Sequence, residues 1–125
     1  MSAGTLILVA TPIGNLGDMT QRATEALSNA DVVCCEDTRR TGLLLQHLGI
    51  SGKKYTVINE HTEHDACEEV VQRILGGSNV ALVSDAGTPG ISDPGERLVK
   101  AALSSGITVS AMPGASALTM ALVMS

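Results

Sequence analysis

Short strand-like segments recur along this chain, and each is followed by a turn-forming stretch and then by a segment of helical periodicity. Residues 6–10 and 80–83 are continuous apolar runs, while 31–35, 55–58 and 108–111 read as strands in which Asp31, Tyr55, Thr56, Thr108 and Ser110 accompany Val, Ile, Cys and Ala. Runs of this length without polar alternation suit strands buried on both faces. Between them lie segments whose apolar residues repeat every three to four positions. One, beginning at Asp18 or Thr20, reaches about Ala30 with Ala23, Ala26 and Leu27 inward. A second starts at Thr38 or Thr41 and runs through Leu43, Leu44 and Leu48 to a stop at Gly49. The third, from His64 to Leu75, sets Ala66, Val70, Val71, Ile74 and Leu75 against Glu68, Glu69, Gln72 and Arg73. The fourth, from about Pro94 to Ser104, turns Leu98, Val99, Ala102 and Leu103 inward. Strand–helix alternation of this kind predicts an α/β fold, a five-stranded mostly parallel sheet with right-handed crossovers and helices on both faces.

The filling of that core is restricted. Among 125 residues there is no Phe, no Trp and one Tyr, Tyr55, so Val, Leu, Ile, Ala and Met must supply the packing. No aromatic platform for stacked bases is available. A formal net charge of −5, with short basic clusters at Arg39-Arg40 and Lys53-Lys54, argues against this stretch gripping a nucleic-acid backbone unaided. The three cysteines, Cys34, Cys35 and Cys67, are odd in number and lack CxxC spacing, which excludes a disulfide framework and argues against zinc. They read as small hydrophobes. No metal site is expected. Residues 6–10 are too short for a signal peptide and have no basic start, no run is long enough to span a bilayer, and a cytoplasmic location is expected.

Three loops combine Gly and Pro with small polar side chains: residues 11–16, 85–95 and 112–117. The second belongs to Ser84-Asp85-Ala86-Gly87-Thr88-Pro89-Gly90-Ile91-Ser92-Asp93-Pro94-Gly95-Glu96, which follows an apolar run and leads into a helical pattern. Glycine lets backbone approach a ligand closely and proline fixes the loop's shape. In a parallel sheet all three would emerge at the carboxyl edge, where open α/β sheets bind small ligands. Ordinary strand-to-helix turns use the same residues, so the loops alone do not name a ligand. Neither GxxxxGK[ST] nor GxGxxG is present, which excludes a P-loop and argues against a dinucleotide fingerprint.

Four motifs in order carry a family resemblance. They are Leu8-Val9-Ala10-Thr11-Pro12-Ile13-Gly14-Asn15-Leu16-Gly17-Asp18, then Glu36-Asp37-Thr38-Arg39-Arg40-Thr41, then the Ser84–Gly95 segment spelled out above, then Pro113-Gly114-Ala115-Ser116-Ala117. Together they resemble the ribosomal RNA small subunit methyltransferase I family, of the tetrapyrrole methylase-like superfamily. The resemblance covers this whole chain but only the amino-terminal half of a family member. It implies a two-domain, dimeric enzyme that uses S-adenosyl-L-methionine to methylate the 2′-hydroxyl of a cytidine in 16S rRNA. The cofactor is then expected against Pro12, Gly14, Asp85, Ala86, Gly87, Thr88, Pro89, Gly90, Ile91, Ser92, Asp93, Pro113, Gly114, Ala115, Ser116 and Ala117. Substrate contacts are expected from Asn15, Arg39 and Arg40. At Asn59-Glu60-His61-Thr62-Glu63 the family tends to have His-Glu-His-Asn, and only Glu60 and His61 match.

Methyl transfer to a ribose hydroxyl needs in-line positioning and gains from a base that takes the hydroxyl proton. Glu36, Asp37 and His61 are the candidates, with Glu60 beside them. Glu36 and Asp37 read equally well as a capping or ion-paired set with Arg39 or Arg40, and Arg39 reads as a phosphate contact or a surface ion pair. Two other functions remain open: a methylase of a tetrapyrrole or other small molecule, and a non-catalytic ligand- or protein-binding domain. The all-apolar helical stretch at residues 117–124 expects cover on every side, which suits one domain of a longer protein whose carboxy-terminal domain is absent. Alone, the chain is expected to be inactive.

Overall fold

In the computed structural model the described residues are 3–11, 21–36, 38–58, 63–85 and 93–112. They form, in chain order, β1 (Thr5–Thr11), α1 (Gln21–Asn29), β2 (Val32–Cys35), α2 (Thr38–His47), β3 (Lys54–Val57), α3 (Glu63–Leu75), β4 (Val80–Asp85), α4 (Asp93–Ser104) and β5 (Thr108–Met112). The strands make one five-stranded sheet in the order β3-β2-β4-β1-β5, and every pairing is parallel. The predicted fold class is the observed one.

Side-chain alternation along the strands splits the core into two layers. Leu6 and Leu8 of β1, Val32 and Cys34 of β2, and Val80 and Leu82 of β4 pack against α3 and α4, through Val70, Ile74, Leu98, Val99 and Ala102. Val9, Val33 and Ala81 face the other way, onto Ala23, Ala26 and Leu27 of α1 and Leu44 and Leu45 of α2. Both faces of the central strands are therefore dry, which is why their sequences show no polar alternation.

Two glycines stop helices, the first of them where the sequence suggests. Gly49 ends α2 with φ of 76°, and Gly106 ends α4 with φ of 78°, a backbone region that L side chains rarely adopt. The Ile50 amide then donates to the Leu45 carbonyl at 2.8 Å and the Ile107 amide to the Ala102 carbonyl at 3.0 Å, closing Schellman-type ends. Helix α1 has no such glycine. Its end is held from outside by Lys53, whose Nζ donates to the carbonyls of Ser28 and Ala30 at 2.5 and 2.6 Å. A cation is well placed there, where unpaired carbonyls gather.

At the amino edge of the sheet Asn79 joins three segments. Its Oδ1 accepts from the amide and the hydroxyl of Thr5, both at 3.1 Å, while its amide donates to Asp31 Oδ2 at 2.8 Å. Its carbonyl accepts from the Asp31 amide at 2.7 Å, and the Gly4 amide donates to the Ile74 carbonyl at 2.8 Å.

Several details differ from the sequence expectations. Ser84 and Asp85, read as loop, continue β4 because β1 supplies partners for them, Ala10 and Thr11. Asp93 begins α4, so the Pro/Gly loop narrows to residues 86–92, outside the described residues. Helix α2 starts at Thr38, and Thr41, the other candidate start, is buried within it. Leu75 and Leu103 were expected inward but are 42% and 37% exposed, because Ile74 and Ala102 already occupy the inward positions beside them. The apolar stretch at 117–124 lies outside the described residues.

Candidate active site

Strand order decides where a ligand can enter. From β1 the chain passes through α1 to β2 and through α2 to β3, moving toward one side of the sheet with both helices on one face. From β3 it returns through α3 to β4 and through α4 to β5, moving the other way with both helices on the opposite face. Strands β1 and β4 are neighbours, so the connections leaving Thr11 and Asp85 resume on opposite faces. That divergence is a topological switch point, and open α/β sheets bind ligands in the crevice beyond it.

The described strand ends put the starts of all three Pro/Gly loops at this edge. Thr11 of β1 stands opposite Asp85 of β4, and Val9 of β1 opposite Met112 at the end of β5. Among the expected cofactor residues, Asp85 is thus the last residue of a central strand and Asp93 the first residue of α4. Pro12, Gly14, Ala86, Gly87, Thr88, Pro89, Gly90, Ile91, Ser92, Pro113, Gly114, Ala115, Ser116 and Ala117 lie outside the described residues.

Of the base candidates, Glu36 is exposed directly beyond β2, the strand on the far side of β4 from β1. Asp37 and His61 lie outside the described residues, as does Asn15. Arg39 and Arg40 are exposed in the first turn of α2, immediately behind Glu36. The structure therefore brings Glu36, Asp85 and the two arginines to one edge. Sequence reasoning did not find the switch point itself, because the adjacency of β1 and β4 is a long-range property. It also passed over Arg22, exposed as the second residue of α1.

Away from this edge the Cys34 thiol is buried in the core between the sheet and α3 and α4. Burial, the largest cause, pushes the Cys34 thiol far above the ordinary thiol range, with Cys35, Cys67 and Glu69 adding to it and Arg73 opposing. A thiol held protonated is a poor nucleophile. A hollow of about 660 Å³ lined by Lys54, Tyr55, Asp65, Glu69 and Arg73 borders edge strand β3, two strands away from the nearer side of the switch point. Among the described residues no group of three or more His, Cys, Asp or Glu is placed to hold a metal ion, and no helix is long and apolar enough to cross a membrane.

Comparison with known proteins agrees with this architecture. Residues 5–125 match the tetrapyrrole (corrin/porphyrin) methylases. The chain belongs to the tetrapyrrole methylase family. Within that family's reach, it is 52% identical over 122 residues to ribosomal RNA small subunit methyltransferase I of Synechocystis sp., covering 98% of this chain and 43% of that protein. The protein of the same name from Streptococcus pyogenes serotype M3 is 52% identical over 124 residues, covering 99% of this chain and 43% of the relative. The chain thus spans less than half the length of these relatives. Uroporphyrin III C-methyl transferase from Thermus thermophilus superposes with a TM-score of 0.65 at 20% identity, covering 92% of this chain and 50% of that one. At that identity the likeness establishes the methylase fold.

Proposed function

We propose that this chain is the amino-terminal, methyl-donor-binding half of a two-domain methyltransferase that uses S-adenosyl-L-methionine to modify a cytidine 2′-hydroxyl in 16S rRNA of the small ribosomal subunit. The observation that carries the reading is 52% identity, spread over 98% of the chain, to a protein named for small-subunit rRNA methylation. Supporting it is the switch point, where β1, β4 and β5 end side by side ahead of loops rich in Gly, Pro and small polar residues.

The residues present suit the cofactor. The paired central strand ends, with Asp85 opposite Thr11, stand where open α/β sheets bind polar ligands through backbone amides and carbonyls. Pro12 and Gly14, residues 85–93 and residues 113–117 would hold it there. When bound, it supplies an electrophilic methyl group. The chain's own task is then positioning the ribose hydroxyl in line and taking its proton at a Glu36 or Asp37 carboxylate oxygen or a His61 ring nitrogen. Arg39 and Arg40 hold phosphate and Asn15 a polar edge of the nucleotide. A carboxy-terminal domain closes the crevice, the full-length protein works as a cytoplasmic homodimer, and the chemistry needs no metal.

The test is transfer of labelled methyl from S-adenosyl-L-methionine to undermethylated small ribosomal subunits by the full-length protein. Label in a cytidine ribose is the expected result. Label in a small molecule alone would favour a tetrapyrrole-type methylase, a reading that the family match and the uroporphyrin enzyme's fold keep relevant. Neither transfer nor cofactor binding would make this a non-catalytic binding domain. Calorimetry on the 125-residue chain should give weak or undetectable cofactor affinity, since the proposed cleft needs a second domain to close it.

A further inference from the structure

The two helical layers carry opposite charge. Helices α1 and α2, which share one face, hold Arg22, Arg39 and Arg40 against Glu25 alone. Helices α3 and α4, on the other face, hold Glu63, Asp65, Glu68, Glu69, Asp93 and Glu96 against Arg73, Arg97 and Lys100. A chain with net charge −5 thus keeps one net basic helical face.

The placement of the basic residues is informative. The positive end of a helix favours acidic residues in the first turn. Helix α3 opens Glu63-His64-Asp65 and α4 opens Asp93-Pro94-Gly95-Glu96, as that field prefers. Helices α1 and α2 have no acid in the first turn and carry arginine instead, at their second, and second and third, positions. All three arginines are exposed. Both helices run back from the carboxyl edge, since α2 begins right after β2 ends and α1 finishes where β2 begins. The arginines therefore stand on one face, at the rim beside the switch point, and Leu43, 66% exposed, lies one turn further along α2.

We propose that the phosphate backbone of the RNA substrate reaches the crevice across the α1/α2 face, held by Arg22, Arg39 and Arg40, while the acidic α3/α4 face is turned away from it. This rests on the RNA-methylating reading given above and assigns the direction of approach and a further residue, Arg22. Charge complementarity selects the occupant: guanidinium groups match phosphate, and an RNA strand offers phosphates at the spacing of successive nucleotides.

The experiment uses the full-length protein and small ribosomal subunits, with KM for RNA measured across a salt series. The variant Arg22→Gln/Arg39→Gln/Arg40→Gln keeps side chains of good helix propensity. A matched control, Arg73→Gln/Arg97→Gln/Lys100→Gln, removes the same number of cations from the other face. Each lost phosphate contact lowers the slope of log affinity against log salt by about one, so the first triple should flatten it by ~2 to 3 and raise KM at least tenfold. The control should keep the wild-type slope. Arg22→Gln alone should lower the slope by about one, which keeps the test valid if the triple variant folds poorly. A wild-type slope in the first triple, an equal loss in the control, or a broken dimer with unchanged RNA affinity would overturn the proposal. Absence of RNA methylation by the wild-type protein would instead refute the underlying reading.

Discussion

Replacing Gly4 by alanine tests how tightly the amino edge of the sheet is closed. A Cβ built at Gly4 runs into the carbonyl oxygen and carbon of Ser78, and lies 3.1 Å from the Gly77 carbonyl carbon. All of these are backbone atoms in the turn between α3 and β4, so no rotamer change relieves the overlap. Either the turn shifts or the chain before Thr5 lifts away. Lifting would break the bond from the Gly4 amide to the Ile74 carbonyl and loosen the pair from Thr5 to Asn79 Oδ1. At about 1 kcal/mol net per hydrogen bond this route costs roughly 2 kcal/mol. Forcing the turn to move instead falls in the overpacking range of about 1–3 kcal/mol. The expected loss is therefore about 2 to 3 kcal/mol, a large share of the roughly 5–15 kcal/mol that holds a domain together. Urea unfolding of the 125-residue chain followed by circular dichroism would read it as a lower midpoint at constant slope. A loss under about 0.5 kcal/mol, the range of an indifferent surface change, would refute the reasoning.

Lys53→Met removes the two bonds that close α1 and should cost about 1–2 kcal/mol by urea unfolding, discounted for its partial exposure, with exchange of the α1 carboxyl-terminal amides accelerated. For Cys34 the folded state holds the thiol protonated, so its stabilisation is complete below the ordinary thiol value of 9.0 and declines as pH rises above it. Unfolding free energy should then fall by up to about 1.4 kcal/mol per pH unit above that point, and Cys34→Ala should flatten the decline. Among Glu36→Gln, Asp37→Asn and His61→Gln in the full-length protein, the variant that removes the base should lower kcat by about 100-fold or more while leaving cofactor affinity intact. Arg73→Gln breaks an exposed pair with Glu69 at 3.1 Å and should change stability by less than about 0.5 kcal/mol.

Much of the architecture was legible because burial on both faces writes itself as uninterrupted apolar runs. Residues 80–83 announce β4 for that reason, and Gly49 announces the end of α2. What stayed hidden depends on partners distant in sequence. Ser84 and Asp85 look like loop residues until β1 is known to lie alongside, offering Ala10 and Thr11. Leu75 and Leu103 look like core until the helix phase is fixed by Ile74 and Ala102. The site follows the same division. Its Gly/Pro loops stand out in the sequence, but their common edge requires the order β4-β1-β5, which no local pattern encodes. Arg22 escaped notice because a single arginine acquires meaning only when α1 and α2 share a face.

The position of β1 between β4 and β5 also governs how this chain can be made. Thr5 meets its partner Asn79 across 74 residues, and among the described residues β1 pairs with β4 and β5 alone. At a synthesis rate of about 5–20 residues per second, the first apolar segment to emerge waits several seconds for a neighbour. During that interval it is an unpaired, sticky ribbon. Nascent chains stalled or truncated before residue 80 should consequently be clients of chaperones and prone to aggregate, whereas those extending past β5 can complete the sheet.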